Sequence, residues 1–243
     1  MSGHSHWSSI KHQKAIADTK KGKVFSKLSR IITIAVKEKG GDPMTNASLR
    51  LAIDKAKEFN MPKESVERAI KKGTGELADD KLEEFIFEAF GPGGIAVIIE
   101  GITDNKNRSL GDIKQIISQH GGKLANEGSV RWLFDNKGVI TINPNAQTPM
   151  SKKEDLELLA IEAGAEDIKW RGDNLDVFTK PEEMEKVKKL LEEKQIKVES
   201  SIIGWVAKEE ITADLKQKEQ AEKLFEALDE NDAVQEIYSN LKE

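Results

Sequence analysis

The sequence predicts an α+β, multidomain protein: a small helical N-terminal domain followed by two α/β domains, one ferredoxin-like and inserted in the other. Three observations carry this prediction. Apolar residues recur at helical spacing up to Gly75, and at strand spacing or in continuous runs beyond it. A βαββαβ succession is complete within residues 135–205. The flanking stretches, ββαβ before it and αβ after it, are each too little for a sheet domain and complement one another. The expected domains are therefore residues 1–79, residues 80–134 with 206–243, and residues 135–205.

Residues 8–20 are polar and basic, with only Ile10, Ala15, Ile16 and Ala17 apolar, and predict a short helix that packs little. Val24, Phe25, Leu28, Ile31, Ile32, Ala35 and Val36 then give one apolar stripe, and so a helix. Lys39-Gly40-Gly41-Asp42-Pro43 ends it, with a cation in the last turn, glycine for a left-handed cap and proline beyond. A helix through Leu49, Ala52, Ile53 and Ala56 follows. Asn60-Met61-Pro62 restarts the chain into another, through Val66, Ala69 and Ile70, closed by Lys71-Lys72-Gly73. Residues 84–90 and 94–101 flank the Gly91-Pro92-Gly93-Gly94 turn and predict a β-hairpin. A polar turn at residues 103–108 leads into a helix through Leu110, Ile113, Ile116 and Ile117, ended by Gly121-Gly122, with a strand expected at 130–134. The inserted unit reads as strand 139–142, helix 151–163, strands around Ile168 and at 175–178, helix 181–194 and strand 196–203. Helix 213–228 and strand 233–238 complete the chain.

Charge divides the chain as sharply as periodicity does. The whole carries 38 Lys and Arg against 43 Asp and Glu, a net charge of −5. Residues 1–75 hold sixteen basic and seven acidic side chains, so +9 stands against −14 in the remaining 168 residues. Such asymmetry points to a polyanion partner for the basic part and to orientation or protein contact for the acidic α/β part. Lys11, His12, Lys14, Lys20, Lys21, Lys23, Lys27 and Arg30 lie within twenty residues, with Asp18 the one acid among them. Lys23, Lys27, Arg30 and Lys37 share a helix face turned away from the Val24, Leu28 and Ile32 side, and are expected to face outward. About six phosphate contacts by this set would weaken binding on the order of a thousandfold between 50 and 200 mM salt. Trp7 offers a ring for base stacking or for packing beside a small core.

Other chemistries find little support. With no cysteine, disulfides, thiolate nucleophiles and cysteine-bound zinc are excluded. His4-x-His6 with His12 has no nearby carboxylate to complete a metal site, and no cofactor is expected. Lys71-Lys72-Gly73-Thr74-Gly75 follows a helix, the reverse of a phosphate-binding loop, and reads as a helix end. Asp104, Asn105 and Arg108 form a dense polar turn, a candidate secondary site, although Asp and Asn are also what a helix start needs. Asp229, Glu230, Asn231 and Asp232 read as solvated surface. No nucleophile and base constellation emerges, so binding rather than catalysis is expected. The opening residues lack the apolar region of a secretion signal, and the longest apolar runs are far below the roughly 20 residues needed to span a bilayer. Cytoplasm is the expected location.

Beside these readings, several motifs carry a resemblance. Gly3-His4-Ser5-His6-Trp7, Ile10-Lys11-His12 and Gly22-Lys23-Val24-Phe25 closely resemble the opening of the YebC-type family. The likeness continues through Leu49-Arg50-Leu51-Ala52-Ile53-Asp54-Lys55-Ala56, Asn60-Met61-Pro62 and Glu67-Arg68-Ala69-Ile70-Lys71-Lys72-Gly73-Thr74-Gly75. Beyond the helical part it includes Gly91-Pro92-Gly93-Gly94, Thr103-Asp104-Asn105-Lys106-Asn107-Arg108 and Val234-Gln235-Glu236-Ile237-Tyr238-Ser239-Asn240. The resemblance implies three domains and a probable DNA-binding regulator of transcription. It equally brings in translation, through mitochondrial relatives that look like translational activators of a cytochrome oxidase subunit and bacterial members tied to synthesis of proline-rich stretches. Duplex DNA and ribosomal RNA are thus alternative partners.

Overall fold

Three helices, α1 (Asp18–Lys39), α2 (Ala47–Glu58) and α3 (Lys63–Gly73), carry the apolar residues at the predicted spacing. The computed structural model describes residues 18–77, 81–144 and 153–242. The helix expected over residues 8–20 therefore lies outside the described residues, apart from its last three positions, which form the first turn of α1. The described chain gathers into two compact units, residues 18–127 with 214–237 and residues 128–213 with 238–242.

In the first unit, Val24, Leu28, Ile32, Ala35 and Val36 of α1 pack with Leu49, Ala52, Ala56, Met61 and Ala69. Buried Asn46 ties two helices together. Its amide donates to the carbonyls of Ala35 (2.7 Å) and Gly40 (2.8 Å) at the end of α1, while its oxygen accepts the Leu49 N–H (3.0 Å) as the N-cap of α2. Close crossing of α1 and α3 requires Gly73, where a Cβ would lie 2.6 Å from Val36 Cβ and 2.8 Å from the Thr33 carbonyl oxygen. Strands β1 (Glu83–Phe90) and β2 (Ala96–Thr103) form the expected antiparallel hairpin around a turn at Pro92–Gly94. Next come α4 (Lys106–Gln119) and the two-residue β3 (Lys123–Leu124). The returning chain adds α7 (Leu215–Asp229) and β8 (Val234–Ser239), and the sheet runs β3-β1-β2-β8. The αβ pair thus completes the sheet that the hairpin begins. The strand expected at 130–134 is corrected: residues 131–133 form a turn of 3-10 helix, and the sheet's own short strand is β3 instead.

The second unit contains β4 (Phe134–Ile142), α5 (Lys153–Glu162), β5 (Asp167–Arg171), β6 (Asn174–Thr179), α6 (Met184–Glu193) and β7 (Val198–Ala207). Its antiparallel sheet has the order β5-β6-β4-β7, the arrangement that two βαβ halves produce when they interleave. Ile140, Ile142, Leu175 and Val177 of the sheet pack with Leu156 and Ala160 of α5 and Val187 and Leu191 of α6. In the first unit, residues 229–233 turn the chain from the end of α7 into β8.

Candidate nucleic-acid interface

That turn is held by its own hydrogen bonds: Asn231 Oδ1 accepts the Ala233 N–H (2.9 Å), and the Asn231 carbonyl accepts the Val234 N–H (3.1 Å). It presents Asp229 and Glu230 side chains, with the carbonyls of residues 229, 230 and 232, to one face of α1. That face carries Lys23, Lys27 and Arg30, spaced four and three residues apart and so stacked along the helix. Lys23 Nζ donates to Glu230 Oε2 at 2.5 Å and to the Glu230 carbonyl at 3.3 Å. Lys27 Nζ donates to Asp229 Oδ1 (2.9 Å) and to the Asp229 carbonyl (2.8 Å). Arg30 donates to the carbonyls of Ile102 (3.3 Å) and Asp232. On α2, Lys55 reaches Glu236 of β8 at 3.2 Å.

These contacts correct two expectations. Lys23, Lys27 and Arg30 do not all face outward, and residues 229–232 are not simply solvated surface. The reason is electrostatic and local to the fold: Lys27 is 8 % exposed, and a buried ammonium is tolerable only beside an anion and hydrogen-bond acceptors, both of which Asp229 supplies. The pair is graded from outside to inside. Lys23 and Glu230 side chains are about half exposed, at 46 % and 55 %, whereas Lys27 and Asp229 are at 10 % and 12 %. The Lys23 ammonium is held above its ordinary pKa by the Glu230 hydrogen bond; partial burial opposes this, and the charges of Glu230, Asp232 and Asp229 add to it.

The other predicted contacts divide by position. Lys21 and Lys37 are exposed on α1, and the backbone of Lys20 lies in the first turn of that helix. Lys11, His12, Lys14 and Trp7 lie outside the described residues, as do His4 and His6. Exposed Arg50, Arg68 and Lys71 on α2 and α3 stand outside the predicted set; α3 interleaves its cations with Glu64 and Glu67, which dilutes the positive field there.

The polar turn after β2 is built as a helix start. Asn105 accepts the Arg108 N–H (3.0 Å) as N-cap of α4, and Arg108 pairs with Asp104 at 2.5 Å. Buried Thr103 and Ser109 share a hydrogen bond of 2.8 Å, and Thr103 Oγ1 also accepts the Asn105 N–H (3.0 Å). A polar cleft of about 230 Å³ opens here, with Arg30, Arg108, Asp104, Asp112 and Asp232 in its walls. Arg108 is paired with Asp104, Arg30 donates to backbone carbonyls, and the two hydroxyls bond one another within the turn. Among the described residues no cluster of three His, Cys, Asp or Glu could hold a metal ion, and no helix is long and apolar enough to cross a membrane.

Comparison with known proteins covers nearly the whole chain. Two protein-family models match it, that of the TACO1/YebC protein N-terminal domain over residues 5–76 and that of the TACO1/YebC second and third domain over residues 82–241. A probable transcriptional regulatory protein of Caldanaerobacter subterraneus is 45 % identical over 242 residues, which is 100 % of this chain and 98 % of the relative. One of Halothermothrix orenii is 46 % identical over 241 residues, 99 % of this chain and 94 % of the relative. The crystal structure of a conserved hypothetical protein from Aquifex aeolicus superposes with a TM-score of 0.85 at 40 % identity, covering 98 % of this chain and 97 % of that one.

Proposed function

Because the chain belongs to the TACO1/YebC family along nearly its full length, we propose that it is a nucleic-acid-binding regulator of gene expression that acts by binding rather than by catalysis. Its primary target is duplex DNA, in keeping with the printed description of the relatives as probable transcriptional regulatory proteins. The observation that carries the reading is the charge of residues 1–75, sixteen basic against seven acidic side chains. The α7–β8 turn engages Lys23, Lys27 and Arg30, while Lys11, His12, Lys14, Lys20 and Lys21 precede them with Asp18 as the one nearby acid. A row of cations leading into a helix grips phosphates irrespective of base sequence. Trp7, in the same segment, adds a stacking face. The acidic α/β parts are repelled by the same polymer, so they orient the protein or meet a protein partner. The cytoplasm is where such a regulator reaches its target.

Replacing Lys11, Lys14, Lys20 and Lys21 together by Glu tests this. Fluorescence anisotropy with a labelled duplex should show affinity lost by at least about a hundredfold at 50 mM salt, with thermal melting little changed. Unaltered affinity would refute the assignment of the surface. Sedimentation of the full chain with ribosomes after DNase treatment, without duplex binding, would move the target to ribosomal RNA.

A further inference from the structure

The three cations on the covered face of α1 hold only oxygens: two carboxylates and four backbone carbonyls, donated to by two ammonium groups and a guanidinium. Those are the acceptors that phosphate oxygens would replace, and a turn that offers them to a lysine row resembles a short polyanion in charge and spacing. Lys23 to Arg30 spans about 10 Å of helix, the rise of about three nucleotides along one strand. In sequence, Lys20 and Lys21 precede the row on the same helix. Exposure grades from the solvent side inward, so the outer Lys23 and Glu230 contact is open to competition while the inner Lys27 and Asp229 contact is shielded.

We propose that Asp229 and Glu230 form an autoinhibitory acidic turn that covers a second row of phosphate-binding cations, Lys23, Lys27 and Arg30, and that nucleic acid seated on the N-terminal lysines displaces it from the outside inward. The inference rests on the nucleic-acid reading above. It assigns to the turn a role in setting affinity: the covered row contributes only in the fraction of molecules whose turn is displaced, which lowers apparent affinity by that fraction. Weak, nonspecific polyanions then engage the leading lysines alone, whereas a well-fitting polymer recruits the whole row and steepens the salt dependence.

Two measurements on the full chain test it. First, carbodiimide coupling of the native protein should form an amide between Lys23 Nζ and the Glu230 carboxyl with loss of one water, since the two groups lie 2.5 Å apart. Peptide mass spectrometry should find that product in the free protein, and saturating duplex or ribosomal RNA should lower its yield by at least about fivefold. A yield unchanged by bound nucleic acid would overturn the proposal. Second, Glu230→Gln, which leaves the buried Lys27 and Asp229 pair in place, should tighten binding about threefold at 100 mM salt, because the outer lysine no longer has to be uncovered. Affinity equal to the native protein's would overturn it as well. Failure of the native chain to bind either polymer at low salt would instead sink the functional reading, and native binding with an undisturbed cross-link would sink the inference alone.

Discussion

Lys23 and Lys27 sit one turn apart on the same helix and contact adjacent acids, yet they should differ severalfold in what they contribute to stability. Lys27→Met keeps the aliphatic stem and removes the ammonium, leaving an Asp229 carboxylate of 12 % exposure without its cation. Removing one partner of a buried ion pair costs about 3–5 kcal/mol. Lys23→Met removes a contact whose members are about half exposed, and an exposed pair contributes about 0–1 kcal/mol. The double change Lys27→Met with Asp229→Leu removes both buried charges and should recover most of the loss, because two apolar groups of similar shape can replace a buried pair at little cost. Urea unfolding followed by circular dichroism, with hydrogen exchange of α1 and α7 amides to assign the transition to the first unit, gives all three values. Equal costs for Lys23→Met and Lys27→Met, or a Lys27→Met cost below about 1 kcal/mol, would refute the argument from burial. By the same logic, replacing Lys23, Lys27 and Arg30 together by Glu is no clean probe of binding: it sets carboxylates against carboxylates and should impair folding.

Asn46→Ala should destabilise the helical part by about 2–4 kcal/mol, since it removes the N-cap of α2 and leaves the carbonyls of Ala35 and Gly40 without their donor; a loss below about 1 kcal/mol in urea unfolding would contradict this. Gly73→Ala should cost about 1–3 kcal/mol through contact with Val36 and the Thr33 carbonyl, even though alanine favours helix by about 1 kcal/mol, and a rise in melting temperature would mean the α1 and α3 crossing is looser than described. Desolvation, with the nearby Glu38 charge, holds the Glu84 carboxyl above its ordinary value of 4.5. The folded state therefore binds this proton more tightly than the unfolded chain, and the group's contribution falls as pH rises through its folded pKa. Glu84→Gln should stabilise by a few tenths of a kcal/mol at pH 7, small because the side chain is exposed, and the gain should vanish by about pH 4. A gain that persists at pH 4 would have another cause.

Periodicity in the sequence was enough for most of the fold, because a helix or strand writes its buried face into its own residues. The Val24 to Val36 stripe, the hairpin around Gly91-Pro92-Gly93-Gly94 and the βαββαβ order all lie in local pattern, and the elements appear where it places them. Val130 to Phe134 misled for a physical reason. Val130 and Phe134 are buried, but alternation over so few residues fits a turn of 3-10 helix entering β4 as well as a strand. The candidate site was half legible. Asn105 as a helix cap follows from its position before α4, whereas the destination of Lys23 and Lys27 does not. Their acids lie 207 and 202 residues away, a separation at which no local spacing rule operates. The signal that could have found the contact was present in two places read separately: a lysine row on one helix and an acidic turn capping another, of opposite sign and similar length.

The central claim is that a cationic N-terminal segment holds phosphates, and the salt dependence of binding measures it most directly. Affinity of the full chain for a duplex, titrated between 50 and 200 mM salt, should give a slope of about −3.6 or steeper in log affinity against log salt, since Lys11, Lys14, Lys20 and Lys21 alone account for about that much. A slope shallower than about −1, or binding undiminished at the higher salt, would contradict the account.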